Sequence, residues 1–225
     1  MKPRADAVVK AIKEAQEAKT NGYKQALLEI RGGRKSSHWI WYVWPSLASV
    51  RKTTRPQYSL RDVRDAKALI RDPLLRERLK EITGVAERHL ASGTKPEILF
   101  GSRVDVEKFH ECATCFALVA LKVRDLELAQ VMIDALVALH GGALEPTTVK
   151  YLTEEGDLAE FAKVGSAEDL RKLLEAPAEA HPVDTETRVP STPPATSPAS
   201  PAVHAADVDM TREAECEVEQ GREAE

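Results

Sequence analysis

Arg34, Lys35, Ser36, Ser37 and His38 place two cations, two hydroxyls and an imidazole in five consecutive positions. Trp39, Trp41 and Trp44, the three tryptophans of the 225-residue chain, follow at once. Such a cluster suits a phosphate or a carboxylate, because each side chain offers a hydrogen bond and the first two also offer charge. If a helix starts at Ser36 or Ser37, the free N–H groups and the dipole of its first turn point at the same spot. The indoles of Trp39 and Trp41 would then wall the site and stack on a base. The plainer expectation is that the hydroxyls and His38 satisfy a turn while the tryptophans fill the core, since each buries a large area. For the tryptophans core packing is the stronger expectation. For the cations both readings stay open.

A second cluster, His110-Glu-Cys-Ala-Thr-Cys115, has the Cys-x-x-Cys spacing. On a helix Cys112 and Cys115 share a face, and two thiolates can hold zinc. A structural zinc site needs four ligands, and this body has no second cysteine pair. Nor is the run His-Glu-x-x-His, since Thr114 stands four after His110. The expectation is a pair of buried structural cysteines, with no metal and no cofactor. Asp105 and Lys108 lie three apart, close enough on a helix to orient a ligand or to pair with each other. His38 is the candidate general acid or base, with Asp105 or Glu111 as its carboxylate partner. Arg51-Lys-Thr-Thr-Arg55 makes only a weak basic patch, so nucleic acid is not an expected partner.

Helices must position these residues, because no convincing strand pattern appears. Apolar positions recur at helical spacing over 6–19, 23–30, 59–70, 73–92, 105–121 and 126–139. Asn21-Gly22 and Gly32-Gly33 interrupt the first two, and Asp72-Pro73 supplies a cap and a first-turn proline. Asp62 is a capping-box partner for Ser59. The run 36–44 is too short for periodicity to decide. As a helix, Trp39, Tyr42 and Val43 share a face; as a strand, Trp39, Trp41 and Val43 do; helix is preferred. Short helices follow at 94–100, 146–152 and 167–174. The stretch from Cys112 to Leu121 is apolar nearly all round, which marks a central buried helix. The fold class is all-α, a single compact domain of about seven to nine helices.

The expected organisation is a helical domain over 5–152, a peripheral helical extension over 153–176 and a disordered tail over 177–225. The tail is rich in Pro, Ser, Thr, Ala and Glu and has too little apolar surface to offset ordering entropy. It carries 11 acidic and 3 basic residues, a net of −8, against 29 basic and 25 acidic in the remainder, a net of +4. A mildly basic body suits an anionic ligand, although charged tails are common for solvation alone. No apolar run approaches the roughly 18–20 residues needed to span a bilayer, so no membrane is expected. Met1-Lys-Pro-Arg-Ala-Asp does not read as a signal peptide. Three cysteines do not form a disulfide framework, which favours a reducing setting: the cytoplasm, with the nucleus not excluded.

Three segments together resemble one family. The most specific runs from Tyr23-Lys-Gln-Ala-Leu-Leu-Glu-Ile-Arg-Gly-Gly through Arg34 to Trp44-Pro45. The second is Tyr58-Ser-Leu with Ala66 and Asp72-Pro-Leu-Leu. The third is Ile98-Leu-Phe-Gly with Asp105, Lys108, Thr114 and Phe116. The chain resembles the domain-of-unknown-function family 1810, small helical proteins found mostly in bacteria and sometimes mislabelled as calpastatin. The likeness covers roughly Ala15 to Leu152 and implies an all-helical fold, but no reaction. It brings Lys108 and Thr114 into the candidate ligand-binding set with Arg34 to Trp41. The chain departs from the family where paired serines usually stand, at Glu111 and Cys112, which puts any ligand those serines bind elsewhere in doubt here.

Three functions fit these residues. The first is a binding module for a small anionic, nucleotide-like ligand, sited between residues 34–44 and the start of the 105–116 helix. The second is an enzyme acting on a nucleotide or ribosyl derivative. The third is an interaction scaffold whose tail, with Thr192-Pro and Ser197-Pro, binds protein partners and is open to phosphorylation.

Overall fold

The structure is a computed structural model that describes residues 5–175. Ten α-helices form it: α1 Ala5–Glu17, α2 Tyr23–Arg31, α3 Ile40–Val43, α4 Val63–Arg71, α5 Pro73–Ala91, α6 Pro96–Phe100, α7 Arg103–Lys122, α8 Leu126–His140, α9 Pro146–Glu154 and α10 Ala167–Glu175. The fold is all-α. Counting the four-residue α3 and the five-residue α6 as elements brings the number to ten. Among the described residues there is no strand, only two isolated bridges, Leu47 with Leu60 and Ala143 with Ser166. No helix among them is long and apolar enough to cross a membrane. The tail expected over 177–225 lies outside the described residues.

The apolar run of α7 has the predicted consequence. Every residue from Glu111 to Leu121 is buried, and α4, α6, α8, α9 and α10 pack around this helix. Ser102 starts it by accepting from the Asp105 N–H at 3.1 Å. Its end is marked by Arg124 at φ 62°, after which Asp125 caps α8. The Asp125 carboxylate also takes the Arg76 guanidinium at 2.6 and 2.7 Å, tying α8 to α5.

Caps are legible in the sequence where one residue carries the signal. Asp72 accepts from the N–H groups of Leu74 and Leu75 at the start of α5, with Pro73 in the first turn. Its other oxygen takes Lys13 of α1 at 2.8 Å. The expected Ser59–Asp62 capping box is not formed. Asp62 is itself the N-cap of α4, accepting from Arg64 N and Asp65 N, while Ser59 ends a single 3-10 turn, Pro56–Tyr58. Asp62 wins because its own short carboxylate reaches both free N–H groups two and three residues on.

The segment of the tryptophans is a short helix, as preferred. Trp39, Tyr42 and Val43 are buried on its inner side, and Trp41 is half-buried. Trp44 meets Phe109 and Phe100 at centroid distances of 4.7 and 5.5 Å, and its indole N–H donates to Thr83 Oγ1 at 3.0 Å. Aromatic rings of this size each bury ~150–250 Å². One turn of helix is thereby fixed against α5, α6 and α7, and this anchoring sets where Trp41 stands.

Candidate functional site

Glu29, on α2, controls the run that precedes α3. Its carboxylate accepts from Ser36 N–H at 2.8 Å, Ser37 N–H at 3.0 Å, Ser37 Oγ at 2.5 Å and the Trp39 indole N–H at 2.8 Å. Burial pushes the Glu29 carboxyl up, but these donors outweigh it and hold the group at about 2, far below the ordinary carboxylate range. Ser36, Ser37 and Trp39 therefore direct these donors at a carboxylate of the chain itself, while Arg34 and His38 do not take part. Neither serine caps a helix: α3 begins after Trp39, with no side-chain cap.

A second arrangement joins the start of α7 to the same segment. Lys35 Nζ lies 2.7 Å from one oxygen of Asp105, and Lys108 Nζ lies 3.2 Å from the other. All three residues are 9 % exposed. Two ammonium groups thus share one carboxylate, leaving a net positive charge in a nearly closed place. Lys108 Nζ also stands 4.7 Å from the centre of the Trp41 ring, and Arg55 lies 5.4 Å from the same ring. Such contacts are worth about 0.5–2 kcal/mol, more when water is excluded. Arg51 binds Glu111 through Nε at 2.8 and 3.0 Å and reaches Glu107 at 3.0 Å, fastening the loop between α3 and α4 onto α7.

Two chambers flank Trp41. The smaller spans about 270 Å³ with its open mouth but has closed room of only about 20 Å³, enough for about one water, between Trp41, Trp44, Ser46, Arg51, Thr53, Tyr58, Ser59 and Lys108. The larger, about 880 Å³ and open, lies between Ala15, Ala18, Thr20, Asn21, His38, Trp41, Tyr42, Arg55 and Tyr58. Trp41 and Tyr58 are common to both. Three cations and a histidine line them, and no acidic side chain does.

The candidates divide accordingly. Lys35, Asp105 and Lys108 come together, and Trp41 and Lys108 line the small chamber. His38 lines the large one, but its ring makes no hydrogen bond to Asp105 or Glu111; Lys35, Lys108 and Arg51 engage those carboxylates. Arg34 and Ser36 are exposed. Trp39 is fully buried and lines neither chamber. Thr114 is buried and accepts from the Glu145 N–H at 3.0 Å, a contact that seats the loop before α9. His110 bonds the Ala143 carbonyl in the same loop at 2.8 Å. Cys112 and Cys115 lie inside α7, and burial pushes both thiols up, Cys115 to about 12. The described residues contain no cluster of His, Cys, Asp and Glu fit for a metal.

Sequence reasoning missed Glu29, Ser46, Tyr58 and Ser59 and took Arg51 and Arg55 only for a weak basic patch. An acid on the polar side of α2 carries no local sign of its partners, which lie seven to ten residues on. The loop residues gain a role only when Arg51 fastens their segment to α7.

The family model described as Protein of unknown function (DUF1810) matches residues 9–152. The chain belongs to this family. The crystal structure of the conserved hypothetical protein Rv1873 from Mycobacterium tuberculosis is similar, with a TM-score of 0.54 and 28 % sequence identity, over 64 % of this chain and 95 % of that one. No curated protein matches the chain.

Proposed function

We propose that the chain is a binding module for small anionic, ring-bearing ligands of the nucleotide class, with residues 5–152 as the binding domain. One observation carries the reading. The two chambers that share Trp41 and Tyr58 are lined by Lys108, Arg51 and Arg55 and by no carboxylate. Aromatic walls with a few convergent donors are the common composition of a small-molecule site, and the larger chamber by itself is in the usual range of size. The net positive charge of the Lys35–Asp105–Lys108 group favours an anion there.

Trp41 provides the test. Trp39 and Trp44 are at most 1 % exposed, so acrylamide should quench mainly Trp41 in the full chain. A panel of ribonucleotides should reduce that quenching and raise the unfolding temperature. A ligand at 100 times its Kd adds about 2.7 kcal/mol to stability. Trp41→Leu should remove the quenchable signal and weaken binding. Unchanged quenching and melting across the panel would exclude the reading.

A second reading, an enzyme on a nucleotide or ribosyl derivative, is favoured by the place of His38 on the large chamber. It requires His38 to work as acid or base without a carboxylate partner to orient its ring. Turnover of a bound nucleotide, lost in His38→Gln, would support it; binding without turnover leaves the module.

A further inference from the structure

We infer that Arg55 is a movable cover on the large chamber, which leaves the Trp41 ring when a ligand ring stacks there and turns to hold the ligand's anionic group. This rests on the reading of the cleft as a nucleotide site and names the residue that recognises the charged part.

The first ground is how the nearby cations are tethered. Two of them lie over the Trp41 ring. Lys108 approaches from the small chamber, is buried, and is held by Asp105 at 3.2 Å. Arg55 approaches from the large chamber, is exposed, and stands 5.4 Å from the ring centre. Its guanidinium makes no ion pair and no hydrogen bond among the described residues, so the ring alone holds it. Arg51, four residues earlier, is fixed by Glu107 and Glu111. A cation over an aromatic face at an exposed site gains about a two- to fivefold preference for that place, which a better partner easily outweighs.

The second ground is the firmness of what Arg55 stands on. Its backbone N–H donates to Thr53 Oγ1 at 3.0 Å, and its carbonyl accepts from Tyr58 N–H at 3.1 Å. Pro56 then starts the 3-10 turn that carries Tyr58. The Tyr58 ring meets Tyr42 edge-on at 5.1 Å, and the Tyr42 hydroxyl donates to the Asn21 carbonyl at 2.7 Å. The main chain and the aromatic floor are therefore anchored, and the side chain of Arg55 is the part free to swing.

The third ground is chemistry. A guanidinium is permanently charged, stacks on an aromatic face, and grips a carboxylate or phosphate through a planar fork of donors. The lining of the large chamber has no acidic side chain to claim that fork. A base that stacks on Trp41 from this chamber needs the face that Arg55 covers. One movement of Arg55 thus serves both parts of a nucleotide, uncovering the indole for the ring and presenting the fork to the anion.

The experiment uses the full chain and its Arg55→Ala and Arg55→Lys variants in two measurements. The first is acrylamide quenching of Trp41 without ligand, which should rise in Arg55→Ala because the cover is gone. The second is calorimetric titration with adenosine and with adenosine 5′-monophosphate. Wild type should bind the monophosphate about tenfold more tightly than the nucleoside, the size of one charge-assisted hydrogen bond. Arg55→Ala should bring that ratio close to one, and adenosine itself should bind about two- to fivefold more tightly, since it no longer displaces a cation from the ring. Arg55→Lys keeps the charge without the fork and should recover only part of the ratio. Quenching unchanged in Arg55→Ala overturns the cover. A monophosphate-to-nucleoside ratio unmoved by Arg55→Ala overturns the exchange while leaving the nucleotide site standing. Binding of neither ligand to wild type overturns the nucleotide reading and the exchange with it.

Discussion

At the scale of single residues, Glu29 shows how a carboxylate can occupy an anion nest of its own chain. Five donors converge on it, the Gln25 amide among them, and its pKa falls from the ordinary 4.5 to about 2. A carboxylate with a depressed folded-state pKa contributes stability that is complete above its unfolded value. That contribution is lost as pH falls through the folded value. Wild type should therefore exceed Glu29→Gln by ~2 kcal/mol near neutral pH, after discounting for solvent that reaches the group. The gap should close between about pH 4.5 and 2. Urea unfolding of both proteins at several pH values checks this, and a gap independent of pH would show that the carboxylate's charge is not what the nest holds. No periodicity argument finds Glu29, because helical spacing puts it with the solvated residues of α2 and says nothing of a loop that folds back. The cations fared differently. Lys35 and Lys108 were visible as types, but their sharing of Asp105 depends on how α7 meets the segment before α3.

At the scale of elements, the legible features were those in which local chemistry and packing agree. Asp72-Pro73 reads as a helix start and is one, and Asp72 also receives Lys13 from α1. Asp72→Ala should lower stability by about 1–2 kcal/mol, the upper part of the range for a lost cap, because the tie to α1 goes with it. Lys13→Met separates the two effects: chemical denaturation should show it losing only a small part, and equal losses would mean that the tie and not the cap matters. The short helix α3 lay beyond periodicity for a physical reason. Four residues complete barely one turn, and aromatic contacts from α6 and α7 with a hydrogen bond to Thr83 of α5 decide its conformation. The stretch from Leu47 to Pro56 reads in the sequence as a basic loop, and Arg51 fastens it to α7 and so creates a wall of the small chamber.

At the scale of the whole molecule, the family match ends at residue 152, while packing continues to the end of α10. Leu158, Phe161, Ala167 and Leu170 are buried, and Arg171 meets Asp134 of α8 at 2.6 Å. Burying a large apolar side chain contributes about 1.5–3 kcal/mol. A chain ending at residue 152 should therefore unfold at markedly lower urea than one ending at residue 175. Equal midpoints would show that the last helices add nothing to the domain. The all-helical class was legible throughout because the apolar spacing of α5, α7 and α8 is sustained over many turns. The cleft was not, because four separate segments contribute its walls.

Gly101, in the turn between α6 and α7, has φ 79°, and a Cβ placed there would stand 2.9 Å from the Lys35 carbonyl oxygen. Any side chain at this position would meet both a strained backbone and the segment that carries Lys35 to Asp105. Substitution therefore has room at Ser46 and Ser59, whose hydroxyls bond no other described residue, and none at Gly101, where the turn before α7 and the path of the chain through Lys35 are the same constraint.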